Sequence, residues 1–224
     1  MRRALRDSGL SLAFLVLFLV TIVAQSFAGL AETNEELAEH GHAALDWVQY
    51  VTSSDFVVDV AENWQSEFLQ FFLFILATIW LVQKGSPESN PPGDEGPGPD
   101  SEQRTGAYAY ADSPRWSRAG GWRQRLYSNS LLIAMGAFFL LSWLAQSLAG
   151  VVVANEDRAD HGEAPLDWLQ YVGSPDFWSR TLQNWQSEFL AIGVMVAFAI
   201  YLRQRGSSQS KPVGAPHYRS GEES

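Results

Sequence analysis

The 224-residue chain contains no cysteine. Disulfides, thiol redox chemistry and cysteine metal cages are thereby excluded, so any site must be built from carboxylate, imidazole, amide or aromatic groups. Basic residues are scarce: 15 Lys and Arg stand against 25 Asp and Glu, a formal charge of -10 that argues against nucleic acid as a partner. A Gly-rich phosphate loop, a Gly-x-Ser-x-Gly elbow and a His-Glu-x-x-His motif are all missing. Catalysis by a known soluble mechanism is therefore not expected, nor is any cofactor. Only 18% of residues are charged, yet the mean hydropathy is -0.09. That value averages two unlike populations, long apolar runs and very polar segments between them, and so understates the membrane signal.

What is present is organised by a duplication. Setting residue i against i+121 without a gap pairs Arg2 to Ser86 with Arg123 to Ser207 and gives 38 identities in 85 positions. Of these, 27 fall in the 46 positions from Ala24 to Leu69, whereas Phe71 to Trp80 matches its counterpart only at Ile79. The connecting segment is what the copies share; runs that face lipid need only be apolar. The implied organisation is a two-span repeat over 1–86, a disordered linker over 87–121, a second two-span repeat over 122–207 and a disordered tail over 208–224.

Each repeat holds two apolar runs. Leu10 to Ala31 and Leu131 to Ala154 are long enough to cross a hydrocarbon core of about 30 Å as helices. Phe68 to Val82 and Phe189 to Leu202 are shorter, so crossing requires Trp64 to Glu67 and Trp185 to Glu188 to enter the membrane margin. Arg2, Arg3 and Arg6 before an apolar run also resemble a signal peptide with a cleavage site near Ser26-Phe27-Ala28. Ala145-Gln146-Ser147-Leu148-Ala149-Gly150 repeats that block in mid-chain, so the first run is expected to be retained as a helix.

Charge placement gives a topology. With four crossings, 13 of the 15 basic residues lie on one side, which the positive-inside rule makes the cytoplasm, while the two outer segments carry 16 acids against Arg158 and Arg180. Both termini then lie inside and the repeats share one orientation. The inner connection from Gly85 to Gly121 carries six prolines and seven glycines and reads as flexible, as does the tail. Outside, Asn34 to His40 and Leu45 to Val51 are each expected to form a short helix, with Ser53 and Ser174 capping the helices that lead into the second spans. The fold class expected is an all-α membrane protein, four transmembrane helices in two tandem same-orientation repeats with short amphipathic helices on the outer face.

The paired Ala-Gln-Ser-x-Ala-Gly ends of the first spans, the Asn-Glu and His-Gly outer loops, the Asn-Trp-Gln-Ser-Glu-Phe-Leu segments and the Gln-Lys/Arg-Gly-Ser exits carry a resemblance. They look like a family of bacterial integral membrane proteins classed as a domain of unknown function. The resemblance covers both repeats and implies a bacterial inner (plasma) membrane location. It brings no activity with it.

The candidate chemistry is polar and sits near the membrane margin. Asn63, Glu67 and Gln70 form one stripe at i, i+4 and i+7; Asn184 and Glu188 repeat its first two members, and Gln25 and Gln146 end the first spans at similar depth. Such a cluster either binds a proton or cation or fixes helix packing by hydrogen bonds. Glu36 with His40 and Asp157 with His161 stand four residues apart, one helical turn, as a weak metal candidate. The favoured function is non-enzymatic: a membrane protein whose duplicated outer cap binds a protein partner or senses the envelope, with the lipid bilayer as its other partner. The alternative is a small proton- or cation-conducting permease or channel using Glu67 and Glu188. A metal-dependent membrane enzyme is the third.

Overall fold

The computed structural model describes residues 7–221, and among them helices are the only regular elements. Helix α1 is Gly9–Glu39, α2 Trp47–Val51, α3 Ser54–Trp80, α4 Gly121–Ser128, α5 Ser130–Asp160, α6 Trp168–Val172 and α7 Pro175–Tyr201; a single 3-10 turn covers Gly106–Tyr108. Helices α5 to α7 match α1 to α3 in order and length, 31, 5 and 27 residues in each set. Two of them, α1 and α5, are long and apolar enough to cross a membrane.

Helix α1 does not stop at the end of its apolar run. A separate short helix was expected over Asn34 to His40; instead the chain stays helical to Glu39, and α5 likewise to Asp160. The segment between holds Glu, Leu and Ala with no proline, and nothing in it breaks a helix already nucleated by twenty apolar residues. At 31 residues each helix is about 46 Å long, more than the hydrocarbon core requires. Termination comes from Gly41 and Gly162, both at positive φ. In the first repeat Gly41 donates to the Ala38 carbonyl and His42 to that of Leu37; in the second Gly162 donates to Ala159 and Glu163 to Arg158. This pair of bonds is the Schellman ending, and it satisfies the last carbonyls of both helices.

The chain divides into two compact units, one taking the described residues up to Ala61 with Ala145–Phe177, the other Glu62–Leu144 with the described residues from Trp178 onward. The interior of each unit mixes polar and apolar side chains, with Val58, Ala61 and Ala149 buried in the first and Leu69, Ala199 and Ile200 in the second. The first buries Tyr50, Tyr171, Phe177, Ser26, Ser147 and Gln146, while Leu10, Phe14 and Val20 of α1 stay bare. The second buries Gln65, Ser66, Thr181 and Ser142 but exposes Leu140, Leu141, Leu190 and Phe198. Large aliphatic groups exposed over this extent point to membrane association.

Between α3 and α4, where a flexible connection was expected, the described chain runs through turns and one 3-10 turn. After α7 the chain folds back within the same unit. There Lys211 is buried, its ammonium donating to the carbonyls of Gly85, Pro216, His217 and Arg219, and Ser220 accepts from the Gly85 amide.

Candidate functional site

The best-defined polar construction in the first unit is a clip that occurs twice. Asn34, near the end of α1, accepts from the Leu45 amide at 2.7 Å and donates to the Leu45 carbonyl at 3.1 Å. Asn155 does the same with Leu166 at 2.7 and 3.0 Å. An Asn side chain offers a donor and an acceptor side by side, so it can take both polar groups of one residue as a neighbouring strand would. The loop is thereby pinned to the helix it has just left.

The short helix that follows is held at its own start and along its length. Asp46 and Gln49 form a capping box, each side chain bonding the other's amide, and Asp167 and Gln170 repeat it. The Trp47 indole N–H then donates to the Ser26 hydroxyl at 2.9 Å, as Trp168 does to Ser147 at 3.0 Å. In the first repeat Phe27 also stacks on the Trp47 ring, centroids 5.9 Å apart. One turn further along, Tyr50 is 1% and Tyr171 2% exposed. A Cβ placed on Gly29 or Gly150 would strike the facing tyrosine, so the ring packs directly on helix backbone and only glycine leaves the room. Gly29 and Gly150 thus make room for the tyrosines of α2 and α6. Burial first, then the charges of Asp59, Asp55 and Glu32, push the Tyr50 hydroxyl above its ordinary value. Ser53 and Ser174 cap the next helices as expected, accepting from Phe56 and Phe177.

What the clip leaves outside is apolar. On α2 and α6 the equivalent residues Val48 and Leu169 are 62% and 72% exposed. His42 Nε2 approaches Asp160 Oδ1 at 3.7 Å, joining the loop after α1 to the last residue of α5.

The second unit contains a polar crossing of α3 and α7. Gln65, 0% exposed, accepts from the Trp185 indole at 2.7 Å, and Gln70 donates to the Glu188 carbonyl at 3.1 Å. Arg180 meets Glu62 at 3.4 Å and Asn184 bonds back to the Arg180 carbonyl. Trp143, Trp178 and Trp185 lie with centroids 6.0 to 6.4 Å apart, a packed cluster with no space for a ligand among the rings.

The expected polar cluster is therefore distributed. Gln25 and Gln146 lie in the first unit; Asn63, Glu67, Asn184 and Glu188 lie in the second. Gln146 is buried and Gln25 half-buried, whereas Asn63 and Glu67 are exposed. Glu67 stands one helical turn before Gln70, whose side chain donates to the Glu188 carbonyl. Of the histidine pairs, His40 Nδ1 bonds the backbone carbonyl of Glu36 at 2.9 Å, and His161 Nδ1 that of Asp157 at 2.8 Å, with the Asp157 carboxylate at 3.6 Å. Among the described residues no three His, Asp or Glu side chains converge as a metal would require.

The clip residues Asn34, Ser26, Trp47 and Tyr50 were not singled out as a site from the sequence, although each is identical in the second copy. The signal was the density of identities between Ala24 and Leu69.

Compared with known families, residues 1–222 match the family described as a domain of unknown function, DUF6766, and the chain belongs to it. Neither the curated proteins nor the solved structures contain a match to it.

Proposed function

We propose, for this DUF6766 member, a non-enzymatic role: a multi-pass protein of the bacterial inner membrane whose two outer loops form a rigid cap that binds a protein partner in the envelope. In this reading α3 and α7 cross the membrane beside α1 and α5, giving four spans in two repeats of the same orientation, with both termini in the cytoplasm. The observation that carries it is the clip, built twice from the same residues, which holds Val48 and Leu169 outward. A short five-residue helix gains little stability by itself. Fixing two of them with capping boxes, indole bonds and asparagine locks is an investment in a presented surface, since a rigid surface loses less entropy on binding.

The test is a photoreactive side chain at Val48 or Leu169 in the full-length protein in cells. One protein adduct is expected at both positions, and it should weaken when Asn34→Ala and Asn155→Ala release the loops. Adducts with lipid alone, or a protein adduct indifferent to the clip, would overturn the binding role.

A second reading is supported by the crossing of α3 and α7, where Gln70 donates to the Glu188 carbonyl: a proton or cation path in which Glu67 and Glu188 carry charge. Liposomes containing the wild type or the Glu67→Gln, Glu188→Gln double variant separate the two. Flux lost in the double variant favours conduction; no flux in either favours the binding role.

A further inference from the structure

The last three turns of α7 and the chain that follows enclose a groove of about 480 Å³. One wall is apolar: Ala191, Val194, Met195, Phe198 and Leu202 follow one another at helical spacing. From Ala191 to the end of α7 at Tyr201 is about 15 Å of helix, half of a hydrocarbon core of about 30 Å, which is the depth of one leaflet. The far end is polar, closed by Arg203, Gln204, Ser207 and Gln209. An apolar trough of leaflet depth ending in hydroxyl and amide groups matches one acyl chain with its headgroup.

Charge decides which headgroup. From Arg203 to the last residue the sequence carries four Lys or Arg against Glu222 and Glu223. The Arg203 guanidinium donates to the carbonyls of Ala199, Ile200, Leu202 and Ala215, and Lys211 is seated on four more. Carbonyls satisfy their hydrogen bonds but leave both net charges standing, and among the described residues neither cation has a carboxylate partner. Arg205, one residue beyond the groove wall, is exposed. The potential at this end of the groove is therefore positive, and it belongs to the fold.

We propose that this groove binds one phospholipid with a net negative headgroup, its acyl chain along α7 and its phosphate against Ser207 and Gln209 in the field of Arg203, Arg205 and Lys211. The proposal rests on the inner-face placement of this end of α7 given above. It names the lipid class that the inner end of the second repeat selects.

The experiment is native mass spectrometry of the full chain in detergent, titrated with phosphatidylglycerol or phosphatidylcholine of the same acyl length. The wild type should retain one phosphatidylglycerol on the order of tenfold more readily than phosphatidylcholine. Arg203→Gln with Arg205→Gln should abolish that preference, while Arg123→Gln with Arg125→Gln, an equal charge loss on α4, should leave it intact. Because Arg203 also holds the end of α7, a second variant, Ala191→Phe, fills the groove at an exposed helix position and should lower retention of both lipids with the charges untouched. Equal retention of the two lipids by the wild type, or an α4 variant as damaging as the groove variant, would overturn the site. A reporter fused after Gly206 keeps the two ideas apart. An external reporter with the preference intact would overturn the topology and leave the groove; a cytoplasmic reporter with no preference would overturn the groove alone.

Discussion

At the scale of single residues, the decisive choices are those with no cheaper substitute. Asn34 and Asn155 each satisfy both polar groups of a partly buried leucine, so Asn34→Ala leaves an amide and a carbonyl to find water in a confined place. A cost of about 1 to 3 kcal/mol per clip is expected, and hydrogen exchange at the Leu45 or Leu166 amide should accelerate accordingly. An unchanged exchange rate would mean that the loop is held by the tyrosine alone. Asp in place of Asn is no rescue, since a carboxylate accepts from the amide but cannot donate to the carbonyl. These residues also show why the site was only half legible in the sequence. Identity between the copies marked the segment as constrained. Which polar atom meets which is a matter of how far α1 extends, because Asn34 can reach Leu45 only from a helix that has not ended.

At the scale of elements, the ending of α5 carries the pH dependence. His161 follows the last residue of α5, where its ring bonds the Asp157 carbonyl and then lies near the Asp157 carboxylate; both raise its tendency to hold a proton, the carbonyl bond more. A folded-state value raised above the unfolded one adds stability below the ordinary imidazole range, and that contribution fades as pH rises through the raised value. Amides in the last turn of α5 should therefore be better protected at pH 5 than at pH 8, and His161→Gln should flatten the difference. A difference that survives the substitution would place its origin elsewhere. The helices themselves were legible where apolar periodicity and caps agree: Ser53 and Ser174 stand where sequence reading sets them. The one misplaced boundary, at Asn34, came from taking the end of apolarity for the end of the helix. Backbone bonding continues through polar residues until a glycine at positive φ offers the carbonyls another way to be satisfied.

For the whole molecule, the charge asymmetry is the strongest prediction the chain makes. A reporter fused after Glu102 should read cytoplasmic, and ones inserted near Ala43 and Glu163 external; an external result at Glu102 would reverse the proposed orientation. The duplication adds something that topology does not. Asn-Trp-Gln-Ser-Glu-Phe-Leu stands at 63–69 and again at 184–190, yet Gln65, Ser66 and Leu69 are buried while Gln186, Ser187 and Leu190 are exposed. Copies that begin as substitutes for each other have here stopped being interchangeable. The same letter change written at both places would injure an interior once and alter a surface once. The first copy is thus tied by its neighbours to the residues it has, while the second is free to be reshaped by whatever comes to lie against it.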